Sequence, residues 1–240
     1  MGKKINKTTS SNKNNEDNTF WRLYAVVYDF LRYVPIYQHM LFDVGKASEI
    51  KNTDTVLDAG CGTGNFIDHM IKKGSKATFI GIDVADTMLS RAQKKITKSD
   101  VNFQQVNLNN QLPFANNSVD TIIAINSLYA VSNPQFTVSE LWRILKPKGT
   151  LVIVNPQDKT KFFEAYSGIL NSGRGLQKIF LFFITIPLFV FNAIIKMKAN
   201  KLDYHFMTSE EWKKLLQEFN AHSVEIKDTY VQSYLIKVVK

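Results

Sequence analysis

From Thr55 to Val154, short apolar runs alternate with amphipathic stretches, and that alternation restricts the fold more than any other property of the chain. Strand-like runs fall at Thr55–Ala59, Thr78–Ile82, Val101–Val106, Val119–Ile125 and Thr150–Val154. Between them, apolar residues three and four apart mark helices: Phe66, Ile67, Met70 and Ile71; Met88, Leu89, Ala92 and Ile96; Val138, Leu141, Trp142 and Leu145. Strands separated by helices are joined by crossovers rather than tight turns. The pattern therefore predicts an α/β fold with a doubly wound, Rossmann-like, mostly parallel sheet. Gly74 reads as a helix stop, and Lys146–Gly149 (Lys-Pro-Lys-Gly) as a turn before the fifth strand. The end of the chain changes character. Thr208 and Glu211 have capping-box spacing and open a helix with Trp212, Leu215, Leu216 and Phe219 on one face. Two strand-like runs follow, around Ser223–Lys227 and Gln232–Val239, close enough to form a C-terminal antiparallel hairpin at the edge of the sheet.

The 240 residues, 45% of them hydrophobic, suffice for one such domain with a sizeable core. We expect a polar, disordered tail over residues 1–19 and a single domain over 20–240. Within it, residues 20–50 form an aromatic-rich helical cap, broken near Pro35, and 157–205 a helical lid insertion. The tail has no apolar core and does not read as a secretory signal. Gly2 is followed by Lys3 and Asn6, which does not make a myristoylation motif. Cys61 is the only cysteine, so no disulfide forms within the chain and a reducing, cytoplasmic setting is expected. The net charge of +9 favours acidic partners without choosing among them. The lysines are scattered and no RNA-binding module is appended, so nucleic acid is not the expected partner.

The segment Val56–Phe66, VLDAGCGTGNF, places three glycines at alternate positions directly after the first strand. In open α/β sheets that position lies at the mouth of the ligand crevice, and glycine lets backbone approach a ligand closely. No Gly-Lys-Ser/Thr follows, which excludes a Walker phosphate loop, and the third glycine comes one residue too early for the dinucleotide fingerprint. Cys61, between two of the glycines, reads as a small loop filler rather than a nucleophile. Asp83 ends the second strand, where a carboxylate can accept hydrogen bonds from both hydroxyls of a ribose.

Together with VNLNNQLPFANNSVDTIIAINSLYAV and LWRILKPKGTLVIVNP, these motifs resemble, in order and spacing, the class I S-adenosylmethionine-dependent methyltransferases over about Thr55 to Pro156. The resemblance implies S-adenosyl-L-methionine as cofactor and methyl transfer by in-line displacement. It implies that Asp58, Gly60, Cys61, Gly62 and Gly64 hold the methionine end, that Asp83 binds the ribose, and that Val84 packs on the adenine. Asn107 stands where the family often has an aspartate facing the adenine amino group, and Asn126 would lie beside the methionine amine. A plainer role for Asp58 or Asn126, tying loop backbone together, stays open. The cap residues Tyr24, Tyr28 and Asp29 resemble the N-terminal helix of enzymes acting on quinone precursors and on phosphatidylethanolamine, where that helix covers cofactor and acceptor; a plain core role for Tyr28, an aromatic at helical spacing, stays open.

The acceptor is less legible. An uncharged run from Ile179 to Ile195 approaches the roughly 17–25 residues of a membrane span. It lies, however, between elements of one sheet, and Pro187 would break or kink it. Basic residues flank it at Arg174, Lys178, Lys196, Lys198 and Lys201, which suits a segment lying in a membrane interface on the inner face. A buried lid and a lid dipping into lipid through residues 176–198 both stay open, and both predict a hydrophobic or lipid-like small-molecule acceptor. Candidate bases are Tyr129, past the fourth strand and also a candidate substrate contact, and His205, before the last helix. No cluster has metal-ligand spacing. RNA or protein methylation, and non-catalytic binding of the cofactor, are the competing readings.

Overall fold

The computed structural model describes residue 25, residues 28–157, 205–229 and 232–240, and fifteen separate positions between 167 and 190. The 1–19 tail, Tyr24, Phe189 and the basic residues Arg174, Lys196, Lys198 and Lys201 lie outside the described residues.

Seven strands form one sheet in the order β3-β2-β1-β4-β5-β7-β6. The strands are β1 (Thr55–Ala59), β2 (Thr78–Asp83), β3 (Val101–Gln105), β4 (Val119–Ile125), β5 (Leu145–Pro156), β6 (Ser223–Thr229) and β7 (Ser233–Val239). The first five run parallel, and the strand order reverses between β1 and β4, as the alternation predicted. The hairpin is present, but β7 inserts antiparallel between β5 and β6. The one antiparallel strand is therefore inside the sheet, and the edge strand β6 runs with the parallel set.

One sequence boundary moved. The Lys146–Gly149 turn is absorbed into β5, which starts at Leu145; Lys148 takes φ +65° and the β4–β5 register shifts between Val119 and Thr121. A kink that keeps pairing on both sides satisfies more backbone than a full turn would.

Helices cover both faces. Before the sheet come a 3-10 turn, Phe30–Tyr33, and α1 (Pro35–Ser48), with Pro35 at the first turn of the helix, where its missing N–H costs nothing. The other helices are α2 (Asn65–Lys72), α3 (Asp86–Lys95), α4 (Pro134–Ile144) and α5 (Ser209–Gln217). The predicted capping box at Thr208 and Glu211 is complete, with both reciprocal bonds made. One core joins Leu31, Val34, Tyr37 and Met40 of the cap to Phe66, Ile125 and Val154, and Leu181 of the lid belongs to it. The opposite core packs Leu141 and Ile144 of α4 and Trp212 and Leu216 of α5 against Leu57, Ile122 and Ile153. Cap and lid thus share the sheet face on which Val56 and Ile123 lie, and the alternation along β1 puts Asp58 on that same face.

Candidate active site

The site begins at the β1–α2 loop. Gly60 (φ +80°), Gly62 (φ +54°) and Gly64 (φ +72°) all occupy the left-handed region, which L side chains avoid. At Gly60 the demand is also steric, because a Cβ would lie 2.4 Å from Cβ of Ser127. The Gly60 and Cys61 N–H groups both donate to Ile82 O, at 2.8 and 2.9 Å. Asp83 accepts from Gly62 N–H at 2.9 Å and from Ala85 N–H at 2.8 Å, and Ser127 Oγ donates to Ala59 O at 2.8 Å. The ends of β2 and β4 therefore hold the loop and the strand end that leads into it by bonds to their backbone.

Over this loop lies a small pocket lined by Tyr28, Tyr37, Asp58, Gly60, Cys61, Asn65, Phe66 and Ile125, with room for about one water molecule. It is far smaller than a whole ligand site. Asp58 is 2% exposed and receives no hydrogen bond from any described residue. Burial, with Asp83 nearby, pushes its carboxyl up to about 8. A buried acid of this kind is matched by a ligand cation. Burial likewise raises Asp83, though its bonds from Ala85 and Gly62 oppose the shift, and it raises the buried Cys61 thiol, which suits packing rather than nucleophilic attack.

The cap closes the pocket. A Cβ at Gly62 would meet Cε1 of Tyr28 at 3.4 Å, so the tyrosine ring rests on the loop. Next to it, Asp29 pairs with Lys95 Nζ at 2.7 Å and with Arg32 at 3.5 Å. Burial pushes the Asp29 carboxyl up, but Lys95, Arg32 and Thr63 outweigh it and hold it below the usual range. Lys95, at the end of α3, also donates to Asn65 Oδ1 at 2.7 Å. Tyr37, fully buried and raised to about 12 by that burial, is hydrogen-bonded to Tyr28.

The remaining predicted residues are spread along the strand ends. Val84 is 59% exposed, an apolar surface open for packing. Asn107 is exposed, and its Oδ1 accepts from Asn109 N–H at 2.9 Å, so the carbonyl proposed for an adenine amino group already closes a local turn. Asn126 takes φ +50°, donates its N–H to Val154 O at 2.7 Å and leaves its buried Oδ1 without a partner. Tyr129 and His205 are brought together: His205 N–H donates to Tyr129 O at 2.8 Å, and Tyr129 stacks on Phe206 with ring centroids 5.7 Å apart. His205 Nε2 lies 3.2 Å from Ser132 O, and a carbonyl only accepts, so Nε2 carries the proton and Nδ1 the lone pair of the neutral ring. Neither residue lines the Asp58 pocket.

Sequence reasoning missed Tyr37, Asn65, Phe66 and Ile125 as pocket residues. Asn65 directly follows the third glycine and was within reach of the motif. Tyr37 was hidden among the many aromatics of the cap, with nothing local to single it out.

Comparison with known proteins agrees with this geometry. A family model described as a methyltransferase domain matches residues 50–220, and the chain belongs to that family. A demethylmenaquinone methyltransferase of Oceanobacillus iheyensis is 29% identical over 123 residues, 49% of this chain and 51% of that protein. The biotin biosynthesis bifunctional protein BioHC of Teredinibacter turnerae is 31% identical over 130 residues, 50% of this chain and 22% of that protein. The chain therefore spans about half or less of the length of these relatives. In fold, the chain is similar to the crystal structure of a SAM-dependent methyltransferase from Aquifex aeolicus: TM-score 0.61 at 17% identity, covering 90% of this chain and 97% of that one.

Proposed function

We propose that the protein transfers a methyl group from S-adenosyl-L-methionine to a hydrophobic or lipid-like acceptor that it meets at a membrane surface. The residues fit the cofactor: a buried carboxyl at Asp58 that receives no hydrogen bond from a described residue, an unpartnered amide nitrogen at Asn65 and amide oxygen at Asn126, and a loop whose glycines leave room for close approach. Asp58 would pair with the ammonium of the methionine end. Asp83 keeps lone pairs for ribose hydroxyls beyond its two backbone bonds, and Val84 offers an apolar wall to the adenine. When bound, the cofactor supplies an activated methyl group on a sulfonium for in-line displacement. The chain then has to orient the acceptor and exclude water, and orientation can supply on the order of 7–11 kcal/mol. Tyr28 and the cap roof the pocket. Where the acceptor must lose a proton, His205 Nδ1 is the candidate base, with Tyr129 beside it.

A pattern on the lid carries the acceptor class. Ile179, Phe182, Phe183, Ile186 and Val190 are between 38% and 68% exposed, whereas Leu181 and Thr185 are buried. At 3.6 residues per turn the five fall within about 100° of arc, an outward apolar stripe. Pro187, expected to break or kink this run, itself lies in helical backbone. Phe30 and Tyr33 of the cap are exposed as well. Among the described residues no helix is long and apolar enough to cross a membrane, so the stripe suits contact with lipid rather than a span. The demethylmenaquinone methyltransferase relatives act, by name, on demethylmenaquinone, which supports an apolar acceptor here.

The test is flotation on anionic vesicles, with wild type and an Ile179→Asp, Phe183→Asp double variant. Binding by wild type and its loss in the variant are expected; equal flotation of the two sinks the interfacial reading. Incubation with methyl-labelled cofactor and cell extract should place label in the organic phase. Label in RNA or protein would instead overturn the acceptor class.

A further inference from the structure

We propose that Asn65 reads the α-carboxylate at the amino-acid end of the cofactor, and that Lys95 is the positioning residue that turns its amide to donate. This rests on the cofactor reading above.

An asparagine amide can face either way, and here its orientation is determined. Oδ1 accepts from Lys95 Nζ at 2.7 Å and from Thr63 Oγ1 at 3.3 Å. An ammonium only donates, so the carboxamide oxygen has to face Lys95 and Nδ2 has to face away from it. Nδ2 is buried, on a residue 3% exposed, and has no partner of full hydrogen-bond geometry; its one polar neighbour, the Tyr37 hydroxyl, makes only a weak contact with it. A buried donor without an acceptor is costly unless a ligand completes it.

Its surroundings identify that ligand. Asn65 lines the same small pocket as Asp58. It is also the first residue of α2, whose first intrahelical bond runs from Asp68 N–H to Gly64 O, so the N–H groups of Asn65, Phe66 and Ile67 have no acceptor within the helix. A buried carboxyl that gives up its proton to meet a cation, on the same pocket as an amide N–H and a helix N-terminus, matches a zwitterion, with the ammonium on Asp58 and the carboxylate on Asn65. Charge explains why the reader is an amide. The cofactor carries two cationic centres, a sulfonium and an ammonium, which a lysine inside the pocket would repel. Lys95 stays behind Asn65, neutralised by Asp29 at 2.7 Å, and acts through the amide it orients.

The experiment compares calorimetric affinities of the full chain for S-adenosylmethionine and for its decarboxylated analogue. Wild type should prefer the carboxylated form. Asn65→Ala should cut that preference about tenfold or more, as for loss of a hydrogen bond to a charged group, while affinity for the decarboxylated analogue stays within about twofold. Asn65→Asp, nearly isosteric and able to keep the Lys95 contact, should reverse the preference and covers the case in which the alanine variant misfolds. Lys95→Met should lose part of the preference, about three- to tenfold, through the freed amide. Equal weakening of both ligands by Asn65→Ala, or no weakening, overturns the proposal. An intact preference in Lys95→Met overturns the positioning role alone. Failure of wild type to bind either ligand overturns the cofactor reading itself.

Discussion

The floor and the roof of the candidate site are built by different means. The floor, Gly60 to Gly64 with Asp83 and Ser127, is held through backbone: N–H groups of the loop donate to Ile82 O and to Asp83, the glycines take positive φ, and at Gly60 no side chain fits. The roof is held through side chains: Tyr28 on Gly62, Asp29 on Lys95, and Leu31, Val34 and Leu181 in a shared core. Backbone-directed bonds with steric limits admit few residues at each position. Side-chain packing accepts many combinations of similar volume. The floor should therefore break sharply on single substitutions, and the roof should yield gradually.

The largest effect is expected at Gly60. Gly60→Ala forces a Cβ to 2.4 Å from Ser127 at a positive φ, and overpacking with backbone strain should cost about 2–4 kcal/mol in urea denaturation, with loss of cofactor binding. A change below about 0.5 kcal/mol would mean that the loop yields and that the floor is no stricter than the roof.

Next comes Asp83→Ala, which orphans the Gly62 and Ala85 N–H groups. Two such losses should cost about 2–3 kcal/mol of stability and most of the cofactor affinity by calorimetry. Full affinity would remove Asp83 from the cofactor site.

Asp58 sharpens the comparison through pH. Its carboxyl is raised from 3.8 to about 8 in the folded chain, so the folded state binds more protons than the unfolded one between those values. Stability of the cofactor-free protein should therefore fall as pH rises from about 4 to about 8. A ligand ammonium would pull the carboxyl down again, so binding at pH 7 should release up to about one proton. That release is read from calorimetry in buffers of different ionisation enthalpy, and should vanish in Asp58→Asn. No proton release in wild type would place the ammonium elsewhere.

The roof should respond less. Asp29→Ala removes a half-buried ion pair and should cost about 1 kcal/mol, with faster hydrogen exchange confined to the cap over residues 28–33. Smallest of all, Phe183→Asp on the exposed face of the lid should change stability by less than about 0.5 kcal/mol. A large destabilisation there would show that the face is covered by protein, and with it the lipid-facing stripe would fall.

The same contrast governs what could be read ahead of the structure. Strand positions, the parallel order, the capping box at Thr208 and the placement of Asp58, Asp83 and the glycines were legible, because apolar periodicity and φ-restricted glycines act locally. The insertion of β7 inside the edge was not, because hairpin spacing is the same whichever strand docks on β5. Asn107 follows β3, and its side chain accepts from the Asn109 N–H, a choice made by local hydrogen-bond geometry that the motif does not encode. The lid was ambiguous for a physical reason: a run apolar on every face has no periodicity from which to assign an outside.

The sequence by itself determined that this chain folds as a strand–helix alternation with a ligand crevice after the first strand, since the spacing of apolar residues and glycines allows little else. Tertiary structure alone decided that Lys95, some thirty residues from Asn65 and sixty-six from Asp29, would meet both. It also decided that Tyr37 would line the pocket and that the lid would turn Phe183 outward while burying Leu181. Those contacts depend on how separate elements pack across the sheet, and no local pattern encodes which side chains that packing brings face to face.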